Sequence, residues 1–400
     1  MTHSSAAGRF ILFTILLDAM GYGLVAPVVP HLVESLVSGG PAEASTAFGA
    51  MQAAYAAATF VCAPLLGRLS DRYGRRPVLL IAMAGATLDH IVAALAGSVW
   101  LLFGARFVAG ICGASTAAAT AYVADVSRPD DRGRAFAIAG ATFAIGFVSG
   151  PAIGGLLGEF GPRVPFVAAA ILTGINVLYG FFVLPESLAP EKRKALDLAA
   201  INPLSGLMAW RRNRVVAGLM AVVFLFMLAH SGVQATWVLF TGVQLGWGPR
   251  EVGISLGVLG ITAILAQAGF APQMIRRLGP GRTLLIGLVA MTLFCTALAF
   301  VTAGWQLYAA LVFMPFAMAA APAVQALTST SVGDDEQGLL QGTISGVTGL
   351  AAVAGPLTGA FVFRHFIGPS TPVHFPGAAF LLAAVLGLAA VAIATRALRR

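Results

Sequence analysis

The sequence predicts an all-α membrane protein in which twelve transmembrane helices form two pseudo-symmetric six-helix bundles, and three observations predict it. The 400 residues are 58% hydrophobic and only 10% charged, with a mean hydropathy of +0.88, whereas a soluble chain carries about 25% charged residues. Apolar stretches of the roughly 20 residues needed to cross a bilayer recur along the chain. The chain also repeats itself: Gly74, Trp100 and Gly150-Pro151 recur as Gly279, Trp305 and Gly355-Pro356, each 205 residues later. The same composition excludes intrinsic disorder, and it excludes a transmembrane β-barrel, whose alternating strands give only modest hydropathy.

Gly, Pro and charged residues punctuate the apolar stretches and place spans near 9–30, 46–66, 77–97, 99–122, 134–158 and 164–184. The second set lies near 214–240, 250–272, 283–302, 304–328, 338–362 and 373–395. Only short loops remain, with no soluble domain. The 24 Lys and Arg against 16 Asp and Glu give a net charge of +8, which in a soluble chain would suggest nucleic acid. Here the basic residues gather on one side of the spans. That side holds Arg9, Arg68, Arg72, Arg75, Arg76, Arg128, Arg132, Arg134, the run from Lys192 to Arg214, Arg276, Arg277, Arg282 and the tail Arg396, Arg399 and Arg400. The opposite loops hold only Arg163, Arg250 and Arg364, so the positive-inside rule puts both termini in the cytoplasm and removes the nucleic-acid reading. Arg9 before an apolar run resembles a signal peptide, but Asp18 interrupts the run and no small-x-small site closes it, so it reads as a retained first span. Cys62, Cys112 and Cys295 sit in apolar runs without a CxxC pair or nearby metal-ligand His and read as buried apolar residues.

The repeat extends to Leu79-Leu80-Ile81 with Leu284-Leu285-Ile286, Asp130-Asp131 with Asp335-Glu336, Gly133 with Gly338 and Gly154 with Gly359. Two six-helix halves follow, 1–184 and 214–400, as a parallel repeat about an axis along the membrane normal. Residues 185–213, with Pro185, Pro190 and Pro203, form a cytoplasmic linker.

The loop after the second span reads Gly67-Arg68-Leu69-Ser70-Asp71-Arg72-Tyr73-Gly74-Arg75-Arg76-Pro77. It resembles the GxxxDRxGRR signature of the major facilitator superfamily, in the position between spans 2 and 3 where that family carries it. The fifth span holds Gly146-Phe147-Val148-Ser149-Gly150-Pro151-Ala152-Ile153-Gly154-Gly155, which resembles the antiporter motif of drug/proton exchangers. More narrowly, several segments are similar to the tetracycline/proton antiporters: Leu16 to Gly21, Gly85 to Asp89, Arg106 with Gly110 and Gly113, Leu184-Pro185-Glu186-Ser187, and Gln337 to Gly342. The chain departs from that family where helix 8 would carry a His and helix 9 an Asp, positions held here by Ala263 and Met291. The resemblance implies the major facilitator fold, a monomeric proton-coupled antiporter of the bacterial inner membrane, and no cofactor beyond the proton gradient. A tetracycline substrate would arrive as a Mg2+ chelate.

A charge at the bilayer centre costs about 2.5–3.5 kcal/mol on insertion scales, so ionisable groups inside spans are functional candidates. There are three, all in the first half: Asp18, Asp89 and Arg106. Asp18 facing Arg106 or a cavity could take up and release a proton as its partner moves; the plainer reading is a static pair locking helix 1 to helix 4. Asp89 reads as a cavity-facing proton or cation site, or else as a packing hydrogen bond. His90, about 100° further round the helix, need not share that site and reads as a satisfied helix-face residue.

In the signature loop, Gly67 and Gly74 permit a tight turn, Asp71 can accept from a helix amino terminus, and Arg72 can pair with an acid such as Asp125, with Arg75 and Arg76 beside them. The resemblance implies that this cluster is a cytoplasmic latch in the outward-open state. Gly146, Gly150, Gly154 and Gly158 make a flat helix face for close packing, joined by Gly155, and Pro151 permits a bend. Gln52 in the first half, and His230, Gln234, Gln267, Met291, Gln325 and Gln341 in the second, are candidates to line a largely apolar substrate cavity. Phe224, Phe226, Trp237, Phe294, Phe313, Met314 and Met318 join that second-half set.

The reading that follows is proton-coupled efflux of a tetracycline-like or other amphipathic drug by alternating access, through a cavity between the halves. Its alternative is an exporter or facilitator of an endogenous metabolite on the same fold, which Ala263 and Met291 favour. A membrane enzyme or receptor fares poorly, because no HxxxH or acidic cluster occurs in the spans.

Overall fold

The computed structural model describes residues 3–114, 116–193, 214–333, 336–368, 371 and 373–399; Asp335, Arg400 and residues 194–213 of the predicted linker lie outside them. Among the described residues there is no strand, and eleven helices are long and apolar enough to cross a membrane, or twelve when one bent pair counts as a span. That pair is α1, Phe10–Val25 with Val29–Leu36, bent by 42° where Pro27 and Pro30 remove backbone donors. The others are α2 (Gly40–Tyr73), α3 (Arg75–Leu95), α4 (Val99–Val126), α5 (Arg132–Gly158), α6 (Val164–Val183), α7 (Val215–Leu245), α8 (Pro249–Leu278), α9 (Pro280–Ala299), α10 (Gly304–Thr330), α11 (Gln337–Ile367) and α12 (Ala378–Leu398).

Several helices outrun their apolar stretches. α2 is 34 residues long and α11 is 31, because a helix satisfies its own backbone and need not stop where hydrocarbon ends. Two spans are irregular where proline intrudes: α8 passes through a π-turn at Ala266–Phe270 just before Pro272, and α10 through a 3-10 turn at Leu311–Phe313 just before Pro315.

The chain divides into two compact units, residues 1–36, 54–201 and 248–257 in one and 37–53, 202–247 and 258–400 in the other. Within the first, α1 packs on α5 and α6, and α3 on α4 and α6; within the second, α7 packs on α11 and α12, and α9 on α10 and α12. Adding six to each helix number of the first set gives the second. The repeat holds in backbone detail as well. Gly74 and Gly279, which precede α3 and α9, have φ of 108° and 78° with ψ of 160° and 159°, a conformation closed to side-chain-bearing residues. Asp131 and Glu336 enter α5 and α11 with φ of −99° and −94°.

Lipid gives apolar helices no reason to leave it, so membrane helices associate where small residues let backbones approach. A Cβ on Gly146 would stand 2.5 Å from the Leu16 carbonyl oxygen, and one on Gly150 would stand 2.6 Å from the Gly23 Cα. Gly154 meets the Leu24 backbone in the same way. The face therefore seats α5 directly on α1. Gly155 turns to another neighbour, where a Cβ would meet the Pro249 carbonyl at 2.5 Å and the Gly253 Cα at 2.9 Å. In the second unit α11 closes on Gly232 of α7 in the same way: a Cβ on Gly355 would stand 3.0 Å from its nitrogen and one on Gly359 2.8 Å from its oxygen. Pro151 and Pro356 lie inside unbroken helices.

Overpacking a well-filled contact typically costs about 1–3 kcal/mol, so Gly150→Val lowers the midpoint of thermal unfolding in detergent by several degrees. Gly140→Ala, on the same helix but with nothing within 4 Å of its would-be Cβ, leaves that midpoint unchanged.

Candidate functional site

α3 and α4 are joined by a three-residue turn, with Ser98 capping α4 by accepting from the Leu101 amide at 3.3 Å. Asp89 lies six residues before the end of α3 and Arg106 seven after the start of α4, so both stand roughly 10 Å from the turn at the same depth. They form a bidentate ion pair. Arg106 Nε donates to Asp89 Oδ1 at 3.0 Å, and a terminal guanidinium nitrogen donates to Oδ2. Both residues are buried, at 3% and 5% exposure. The static Asp18–Arg106 pair, one of the readings open for Asp18, is not formed: hairpin neighbours at matched depth meet first, and Arg106 is taken by Asp89.

Asp18 is held instead by Asn176 of α6, whose Nδ2 donates to Asp18 Oδ1 at 2.9 Å and to the Thr14 carbonyl at 3.3 Å. Asn176 is fully buried, and its own Oδ1, like Thr14 Oγ1, has no hydrogen-bond partner. The Asp18 side is open where Asp89 is closed, since Asp18 is exposed. Asn176 escaped the sequence reading because it is uncharged; the signal was an amide inside an otherwise apolar span.

His90 corrects a second expectation. It is 5% exposed, its Nδ1 lies 3.5 Å from Asp89 Oδ2, and that nitrogen makes no hydrogen bond. It shares the Asp89 site and is not satisfied. Tyr22 and Tyr55, with ring centroids 6.3 Å apart, lie within electrostatic range of Arg106.

At the Arg-rich end of this unit, the signature loop is wired differently from its expected pairing. Arg75 bridges both acids, Asp71 at 2.5 Å and Asp125 at 3.3 Å, while Arg72 lies over the Tyr73 ring at 5.4 Å. The left-handed turn at Gly74 folds Arg75 back within one turn of Asp71 and toward α4, which is the placement Arg72 lacks. The amino terminus of α3 goes to Glu186 rather than to Asp71: its carboxylate accepts from the Arg75 and Arg76 amides at 2.9 and 3.3 Å. It fills the space that a side chain on Gly74 would need. Arg76 donates to the Phe181 carbonyl at 2.6 Å, and Ser187 Oγ to Asp125 at 3.1 Å. Beneath lies a buried cluster of Phe10, Val78, Leu79, Tyr122 and Leu184. Gly67 lies inside α2 and makes no turn.

Of the second-half candidates, Met291 is 3% exposed, and Phe226, Trp237, Phe294 and Met314 are buried as well. His230 stacks flat on Phe226, with centroids 6.4 Å apart. Gln52 and Gln325 are half-buried, and Gln234 and Gln341 exposed. Gln267 sits in the π-turn of α8 and lines a cavity of about 380 Å³ with Arg276, Ile275 and Pro322. A wider groove of about 930 Å³, not foreseen from the sequence, lies within the second unit between α2 and α11, beside Glu43, Thr46, Arg364 and His365.

Removing one partner of a buried ion pair costs about 3–5 kcal/mol. Asp89→Ala or Arg106→Ala alone therefore lowers the unfolding midpoint sharply, and the double variant recovers part of the loss. Glu186→Ala removes a helix cap, typically worth about 1 kcal/mol, and lowers the midpoint by a few degrees.

The family model described as Major Facilitator Superfamily matches residues 11–313 and 244–400. The chain is 41% identical over 347 residues to the class C tetracycline resistance protein of Escherichia coli, covering 87% of each chain. It is 38% identical over 342 residues to the class G protein of Vibrio anguillarum, covering 85% of this chain and 86% of that one. Among solved structures, the human organic anion transporter MFSD10 superposes with a TM-score of 0.70 at 23% identity, over 98% of this chain and 99% of that one. The nucleoside transporter NupG superposes with a TM-score of 0.77 at 14% identity, over 100% of both. The chain belongs to the Major Facilitator Superfamily and is a multi-pass membrane transporter, not an enzyme.

Proposed function

We propose that the protein exports a tetracycline or a similar amphipathic drug in exchange for protons, by alternating access, with both termini in the cytoplasm of a bacterial cell. The observation that carries this reading is the arrangement of two carboxyls in one unit: Asp89 locked to Arg106, and Asp18 held by a single neutral amide. Coupling requires a group that changes protonation and a partner whose grip on it changes with state, and these two acids differ in that respect. Likeness to tetracycline resistance proteins over most of the chain supports the substrate class. A Mg2+ chelate would be cargo in that case, not a resident cofactor.

One observation favours a second reading, export of an endogenous metabolite. Among the described residues of the second unit, the place of the family's helix 9 acid is taken by a buried Met291, so coupling there would rest on the first unit alone.

Everted membrane vesicles bearing the protein release lumenal protons on addition of tetracycline, followed with a pH-sensitive dye. Asp18→Asn and Asp89→Asn each lower that release at least tenfold; exchange as fast as wild type in both would remove the carboxyls as carriers. Absence of any tetracycline response in the wild type favours the metabolite.

A further inference from the structure

The two carboxyl sites of the first unit look separate along the sequence, yet one side chain stands between them. His90 presents Nδ1 to Asp89 Oδ2 at 3.5 Å. Its other nitrogen, Nε2, faces α1, 3.8 Å from where a Cβ on Gly21 would stand. Gly21 is one helical turn from Asp18, and Thr173, whose methyl lies 2.9 Å from that same Cβ position, is one turn from Asn176, the partner of Asp18. The imidazole thus spans from the Asp89–Arg106 pair to the face of α1 and α6 that carries Asp18.

We propose that His90 is the proton relay between Asp89 and Asp18, an inference that rests on the proton-exchange reading above. A proton on the Asp89 carboxyl passes to His90 Nδ1, and the imidazolium releases one from Nε2 toward the Asp18 carboxylate along the face that α1 and α6 share at Gly21 and Thr173. Asp89 is left ionised and again paired with Arg106, Asp18 is left protonated, and the ring returns to neutrality in its other tautomer. One proton has moved and no charge has been created.

Three features support this role over simple packing. A buried polar nitrogen without a partner costs free energy that a packing residue would not require, and His90 Nδ1 is such a nitrogen. Imidazole can take up a proton on one ring nitrogen and release one from the other, which the amides around it cannot. Gly21 also lets α1 approach Nε2, which lies 3.8 Å from its Cβ position. The charged groups that face His90 are Asp89 on its own helix and Arg106 on α4; Cys112 on α4 lies in range of Asp89, Tyr22 on α1 in range of Arg106 and Tyr55 on α2 in range of both, while Asp18 is one turn from Gly21 on α1. α6 faces it with Thr173 and Asn176, neither of which titrates.

The test uses purified full-length protein in liposomes, with radiolabelled tetracycline as the probe and a pH dye in the lumen. Two rates are read: uptake driven by a pH gradient, and tetracycline counterflow without one. His90→Gln keeps hydrogen-bonding capacity but carries no proton through, and His90→Phe keeps a ring of similar breadth. The relay predicts that in both variants driven uptake falls at least tenfold while counterflow stays within twofold of wild type. A structural role would lower both rates together, and that result overturns the relay, as does driven uptake within twofold of wild type in His90→Gln. Wild-type protein that moves tetracycline without moving protons would overturn the exchange reading itself, and is distinguished because it appears before any variant is made.

Discussion

In hydrocarbon, apolar side chains gain nothing by leaving lipid for one another, so these helices are held by how closely their backbones can approach. The contact of α5 with α1 shows what that demands. Gly146, Gly150 and Gly154 bring the helices so near that a methyl group on any of them would enter the backbone of α1. The second unit solves the same problem with Gly355 and Gly359 against Gly232. Once α1 is fixed against α5 and α6, the depth of Asp18 beside Asn176 is fixed too. The polar chemistry therefore inherits its positions from glycine.

The same solvent sets the rule for charge. No water is available in the bilayer core to hold an ionised group, and each must find its partner in protein. Arg106 and Asp89 satisfy each other completely through two nitrogens and two oxygens. Around Asp18, the side chains of Asn176, Thr14 and His90 do so incompletely, with acceptors or a ring nitrogen left over. A fully satisfied network is rigid, whereas a partly satisfied one is where a proton or substrate group has something to gain by arriving. This contrast separates the locked part of the first unit from the part suited to exchange.

The Arg-rich end follows ordinary aqueous rules instead. There, Glu186 supplies a negative charge at the amino terminus of α3, and Arg75 gathers Asp71 and Asp125. The sequence showed every one of these residues and the glycine that makes the turn, but their pairing was not legible. On a loop rich in arginines, which guanidinium reaches which carboxylate depends on how the chain leaves Gly74, a matter of one φ angle. His90 escaped for a related reason: residues adjacent on a helix diverge by about 100°, yet side chains as long as Asp and His can still converge at their tips.

By itself the sequence determined the number and order of the spans, the internal repeat, the glycine faces and the three charges inside the membrane. Those properties are local: hydropathy over some 20 residues, spacing along a single helix, and identity at a fixed offset. What only the tertiary structure decided is partnership. Asp89 rather than Asp18 holds Arg106, Asn176 holds Asp18, Met291 is buried, and His90 lies against Asp89 with its other nitrogen toward Gly21 of α1. Such choices depend on which helices are neighbours and at what depth their side chains meet, and a one-dimensional pattern carries no record of either.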